Sequence, residues 1–159
     1  MNFEEWQTTI LDVVKNDALW KMSVYKYALF VGELGWFDVT KTYQDYRLRE
    51  VSDQLYGALG SISANIAEGY SRGSAKDRAR FYEYSLGSAR ESRDWYYKCR
   101  HVLGEKVYEH RVTFLTHIIR LLLTMIPQQR GKNLSEESVT YKINEDIAFD
   151  DLLKNVPMP

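Results

Sequence analysis

Between Ser61 and Trp95 the chain reads SISANIAEGYSRGSAKDRARFYEYSLGSARESRDW, and here polar side chains interrupt an otherwise small and apolar pattern. Asn65 and Glu68 stand three residues apart, so on a helix they share one face. A carboxylate beside an amide suggests acid–base chemistry. Such chemistry needs a second titratable group at reacting distance, and the spacing offers none. The same pair, with Gly69 and with Ser88 on the next helix, fits a structural signature in a tight helix hairpin. A partner such as Arg80 or Ser88 is then expected, because a buried carboxylate left unpaired is strongly destabilising. Ser85, Ser88 and Ser92 recur at helical spacing, where hydroxyls donate to carbonyls one turn earlier. No G-x-S-x-G elbow accompanies them, so a base and an oxyanion hole are both missing. The structural reading prevails and no catalytic residue is assigned.

The remaining chemistry-bearing residues are sparse. His101, His110 and His117 are never three or four apart, and no glutamate precedes a histidine in an E-x-x-H pattern, which a bundle di-iron site requires. Exposed or capping histidines are expected, with no metal and no cofactor. No glycine-rich phosphate loop is present. The one cysteine, Cys99, forms no internal disulfide and predicts a reduced, cytoplasmic setting.

The cationic residues are the better candidates. Lys76, Arg80 and Arg90 share a helix face with Glu83 and Asp94, while Arg78, Arg93 and Arg100 share a neighbouring face with Tyr82 and Tyr96. Arg72 precedes them. Arginine beside tyrosine suits phosphate contacts and base stacking, so these seven cations form a candidate nucleic-acid-binding surface. A solvated or intersubunit face carrying pairs such as Arg90–Asp94 is the alternative. Net charge is −1, but it is unevenly spread: four Lys/Arg against seven Asp/Glu in residues 1–46, fourteen against nine in 47–130, three against six in 131–159. Such asymmetry predicts an anionic partner for the middle, or acidic ends folded back on it.

Those residues must be held by helices. Of 159 residues only 3 are proline and 9 glycine, 45% are hydrophobic and 27% charged, which describes a globular chain with one core. Asn2-x-x-Glu5 is a capping box for a helix over about 3–15. Asn16-Asp17 caps the next, about 18–40, with a stripe of Trp20, Val24, Tyr27, Val31 and Leu34. Asp45 caps a helix over 46–70 with a stripe of Leu48, Val51, Leu55, Leu59, Ile62 and Ile66. A second line, Gly57, Gly60, Ser61, Ala64 and Ala67, is small enough for close helix approach. Gly69 and Gly73 are expected to end it in a left-handed cap. Ser74 and Asp77 start a helix over 75–103, closed by Gly104. A last helix over 105–126, with Leu115, Ile118, Ile119, Leu122 and Ile126 inward, is expected to stop before Pro127. This predicts an all-α, up-down-up-down four-helix bundle domain over 1–130, with 1–15 an accessory helix. Residues 131–159 form an acidic tail, an extended arm or a short docking helix around Ile143, Ile147, Phe149 and Leu152. No apolar stretch approaches 18 residues, and acidic Glu4 and Glu5 sit where a signal peptide would be positive, so neither a membrane span nor a targeting segment is expected. The load of 4 Trp and 12 Tyr exceeds what one such core needs and predicts subunit contacts on the first and third long helices.

The elements Ser61-Ile62-x-Ala64-Asn65-Ile66-Ala67-Glu68-Gly69, Arg80-Phe81, Leu86-Gly87-Ser88 and Glu91 resemble the signature of a bacterial four-helix-bundle family. It includes the 23S rRNA intervening-sequence proteins and is related to the accessory proteins of diversity-generating retroelements. The overlap spans about residues 20–127. The resemblance implies a homopentameric ring without known enzymatic activity. For the retroelement relatives it also implies binding to RNA or other nucleic acid and to a reverse transcriptase through a basic surface. The near-neutral charge, the N-terminal helix and the acidic tail depart from that pattern. Two readings stay open: a nucleic-acid-binding accessory protein, and a protein-interaction scaffold with no nucleic-acid role.

Overall fold

Apolar stripes on four long helices build the core, and shorter helices at each end close it. A computed structural model describes residues 1–131 and 145–159. In chain order the helices are α1 (Phe3–Thr9), α2 (Asp12–Lys15), α3 (Ser23–Thr42), α4 (Arg49–Tyr70), α5 (Ala75–Leu103), α6 (Glu105–Gln129) and α7 (Glu145–Lys154), with 3-10 turns at Ala18–Lys21 and Tyr46–Leu48. No strand occurs among the described residues. α3 packs on α4, α4 on α5 and α5 on α6, and α6 returns to α3.

The expected stripes face inward. Val24, Val31 and Leu34 on α3, Leu55, Leu59, Ile62 and Ile66 on α4, and Leu115, Ile118, Ile119, Leu122 and Ile126 on α6 are all buried. The line Gly57, Gly60 and Ala64 does not make a close approach. It lies exposed on α4, and a Cβ at either glycine would meet nothing within 4 Å. The tight contact in the α4–α5 hairpin is instead at Gly69, where a Cβ would stand 2.8 Å from the Tyr82 ring and 3.0 Å from the Phe81 Cβ. Ser85 Oγ reinforces it by donating across to the Ile62 carbonyl at 2.9 Å, while Ser88 and Ser92 donate one turn back on α5.

Helix ends differ from expectation in three places. The single N-terminal helix breaks at Ile10, which is extended. Thr8 and Thr9 donate their hydroxyls to the Glu5 and Trp6 carbonyls and so compete with the ladder there. α4 ends at Tyr70 with no left-handed glycine: the positive-φ residues among those described are Gly104 and Gly131. Ser71 closes it instead, its backbone N–H and its hydroxyl both donating to the Ala67 carbonyl. α6 runs through Pro127 to Gln129, since a missing N–H so near a helix end removes a single bond and one more turn is tolerated. The Ser74 cap and Gly104, at φ 85°, bound α5 as expected.

α1 is built into the core. Phe3 and Trp6 are buried in a ring cluster with Tyr27, Phe30 and Trp20. Of the tail, Ile143 lies outside the described residues, Ile147 lies in α7, and Phe149 and Leu152 pack on the core. The other aromatics face outward, with Trp36 56% and Tyr56 44% exposed and in edge contact at 6.1 Å.

Gly69→Ala is expected to lower the unfolding free energy by about 1–3 kcal/mol through overpacking. Gly32→Ala, in a helix interior with nothing within 4 Å of its Cβ, should raise it by about 0.5–1 kcal/mol. Urea unfolding of the two variants beside the parent checks both signs.

Candidate functional site

The seven candidate cations do not form one continuous patch. Arg78, half-buried at the start of α5, donates to Gln129 Oε1 at 2.9 Å and to the Arg72 carbonyl at 3.1 Å, tying α5 to α6 and to the hairpin turn. Arg93, also half-buried, donates to Thr116 Oγ1 on α6 at 3.1 Å. Arg72 pairs with Glu68 and lies over the Phe81 ring at 4.5 Å. These three are committed to the fold.

Three cations sit on exposed aromatic rings. Arg80 Nε donates to Tyr84 Oη at 2.7 Å with its guanidinium 5.6 Å from that ring. Arg100 stacks at 3.8 Å on Tyr97, which is 52% exposed. Lys98, which was not among the candidates, sits 3.8 Å from the Trp95 ring and pairs with Asp94 at 2.6 Å. Asp94 is therefore not the partner of Arg90. Lys76 and Arg90 are exposed on α5.

The hairpin signature also moves outward. Glu68 is exposed and paired along its own helix with Arg72, and Asn65 Nδ2 donates to the Ser61 carbonyl at 2.8 Å. Neither reaches Arg80 or Ser88. The carboxylate needs no buried partner because water and Arg72 solvate it.

The buried polar centre is elsewhere. Asp38 on α3 and Arg111 on α6 are fully buried and form a two-pronged ion pair, Arg111 Nε to Asp38 Oδ2 at 2.7 Å and Nη2 to Oδ1 at 3.1 Å. Tyr96 on α5 donates its hydroxyl to Asp38 Oδ2 at 2.7 Å. Arg111 Nη1 contacts His110 Nδ1 at 2.9 Å, and Nη2 also donates to the Pro157 carbonyl at 2.9 Å. His110 Nε2 lies 2.8 Å from the Leu152 carbonyl. A carbonyl only accepts, so Nε2 carries the proton and Nδ1 accepts from Arg111. Bidentate geometry and further bonds of this kind are what make a buried pair tolerable.

This environment fixes protonation states. Desolvation, then the nearby Asp38 charge, pushes the Tyr96 phenol well above its ordinary value. Burial brings His110 down to about 4, with the Arg111 charge acting the same way against the Leu152 bond. Burial pushes Cys99 up to about 11, so its thiol stays protonated and poorly nucleophilic. His110 is thus a core residue, neither exposed nor capping, and His117 stacks on Phe149 at 3.4 Å. Among the described residues no group of three or more His, Cys, Asp or Glu is placed to hold a metal ion, and no helix is long and apolar enough to cross a membrane. The sequence does carry a signal for the ion pair. Asp38 continues the α3 stripe four residues after Leu34, and Arg111 interrupts the α6 stripe midway between Val107 and Leu115.

The tail folds back, but not onto the α5 cations. Its described part packs on α1 and α6, so the acidic segment and the cationic helix do not neutralise one another there.

The family model for the 23S rRNA-intervening sequence protein matches residues 21–124, which leaves α1 and α7 outside it. A crystal structure of a Bacteroides thetaiotaomicron protein of unknown function from the S23 ribosomal protein family shares the fold. Its TM-score is 0.61 at 22% identity, covering 65% of this chain and 97% of that one. A comparison with curated proteins finds no significant match.

Arg111→Met leaves Asp38 buried and uncompensated, and is expected to cost about 3–5 kcal/mol in chemical denaturation. For His110 the unfolded chain takes up a proton near pH 6.5 and the folded chain only near 4. The unfolded state therefore binds more protons between these values, and stability falls as pH drops through that window. His110→Gln keeps one donor and one acceptor without the titration. The difference in unfolding free energy between parent and variant should vary with pH from 6.5 to 4 and level off above pH 7.

Proposed function

Because the chain belongs to the 23S rRNA-intervening sequence protein family, we propose that it is a non-enzymatic, homo-oligomeric helical-bundle accessory protein that binds structured RNA through the outer face of α5. The observation that carries this reading is the set of cations held over exposed rings along one helix: Arg80 on Tyr84, Lys98 on Trp95 and Arg100 on Tyr97. A cation over a ring offers charge to phosphate beside a flat surface on which an unpaired base stacks. Exposed Lys76 and Arg90 add sequence-independent charge. A reverse-transcriptase–RNA complex is one form such an RNA partner takes.

Assembly supplies what one protomer lacks. In this reading the four long helices alternate up and down, and five copies close a ring through the exposed α3–α4 face, where Trp36 and Tyr56 flank the small residues Gly57 and Gly60. Five copies of a modest cationic face bind a polyanion by multivalency. The absence of a chemical role is supported by the residues that would carry one: the hydroxyls of Ser85, Ser88 and Ser92 are spent on carbonyls, and both His110 nitrogens are engaged. The competing reading is a protein scaffold, favoured by acids that neutralise part of the cationic surface: Glu68 with Arg72, Asp94 with Lys98 and Glu83 with Arg130.

Fluorescence anisotropy with a structured RNA should show binding that weakens steeply between about 50 and 200 mM salt. Arg80→Ala with Arg90→Ala and Arg100→Ala should flatten the log–log salt slope by roughly one per phosphate contact removed. No binding at low salt by an intact assembly overturns the RNA reading in favour of the scaffold. Solution mass should be five times the 18.7 kDa protomer, and Trp36→Glu should reduce it. A monomeric parent overturns the ring.

A further inference from the structure

The Arg111–His110 edge of the core has a feature the nucleic-acid reading does not use: its hydrogen bonds are completed by backbone carbonyls of the C-terminal segment. Arg111 Nη2 donates to the Pro157 carbonyl and His110 Nε2 to the Leu152 carbonyl. Both are main-chain acceptors, so the two donors read the path of a peptide five residues apart. An aromatic slot one turn further along α6 gives side-chain selectivity. Phe149 stacks on His117 at 3.4 Å and on Phe114 at 5.6 Å, with Tyr27 edge-on at 5.1 Å. Beside the docked segment a groove of about 400 Å³ opens along Lys106, Glu109, His110 and Thr113, so the carbonyl-reading end of the contact is not sealed from solvent.

We infer that this edge of α6 is a peptide-binding site whose ligand is the chain's own residues 149–157, and that the same segment of a second copy can replace it. The physical argument is one of balance. The fully buried Arg111 needs more acceptors than Asp38 provides, and Pro157 supplies one, so the site favours an occupant over an empty state. The occupant is held by three ring contacts and two hydrogen bonds, all made by residues that follow 132–144. A segment of that length spans at most roughly 45 Å, enough to reach an adjacent protomer. Exchange between copies therefore preserves every contact and changes only which chain supplies it. The site uses none of the α5 cations and stands or falls independently of RNA binding.

The test is a fluorescently labelled peptide with the sequence of residues 145–159, titrated into the full-length protein. In the parent, the tethered tail competes at an effective concentration on the order of millimolar, so labelled peptide binds weakly. In full-length Phe149→Ala the tail is loosened, and the peptide should bind at least tenfold more tightly. A peptide ending at Leu153 lacks the Pro157 carbonyl and should bind Phe149→Ala at least tenfold more weakly than the complete one. Equal binding by parent and variant, binding by neither, or indifference to the missing carbonyl overturns the inference. If Phe149→Ala does not fold, hydrogen exchange on the parent decides. A millimolar excess of unlabelled peptide should raise exchange in the protein's own residues 150–156, and no change overturns it.

Discussion

One ion pair sets the terms for the rest of the molecule. Asp38 and Arg111 are separated by 73 residues in sequence and have no exposed surface, so the chain must bring three helices and a carbonyl together before either charge is tolerable. α3 supplies the carboxylate, α6 the guanidinium, α5 the Tyr96 hydroxyl, and the C-terminal segment the Pro157 oxygen. Apolar stripes would pack these helices in several relative registers with similar burial. A bidentate pair at 2.7 and 3.1 Å accepts only one. In this protein the pair's contribution is better described as choice of register than as net stabilisation, since well-packed apolar residues often replace such pairs without loss.

The aromatic residues divide along the same lines. Phe3, Trp6, Phe30, Phe114 and Phe149 gather where α1 and α7 meet the bundle, fastening short elements that are too small to hold themselves. Trp36, Tyr56, Tyr84 and Tyr97 remain outside, at positions suited to a neighbouring subunit or to stacked bases. A single composition figure thus covers two separate jobs.

Much of the framework was legible because local rules and the global fold agree. α5 runs between the Ser74 cap and Gly104, as its capping box and glycine require. The stripes on α4 and α6 mark the core because their period matches the helix. What escaped reading depended on pairing across the chain. Asn65 and Glu68 look like hairpin seam residues in sequence, yet the rotation of α4 that buries Ile62 and Ile66 turns them outward. Gly57 and Gly60 share that fate, whereas Gly69, read as a terminator, is the true contact. Asp38 and Arg111 were hidden because a lone charge on a helix reads as solvated; only the matching interruption of two stripes by opposite signs would have joined them.

The dependence of Arg111 on the Pro157 carbonyl also orders events during synthesis. Chains emerge from the N-terminus, so the helices from α1 to α6 leave the ribosome before the residue that completes their core's hydrogen bonding. Until residue 157 follows, those helices hold a guanidinium with an unfilled donor near its centre. The core therefore contains its own check on completeness: a product that stops short of the tail carries all the apolar surface needed to collapse and lacks one oxygen needed to settle.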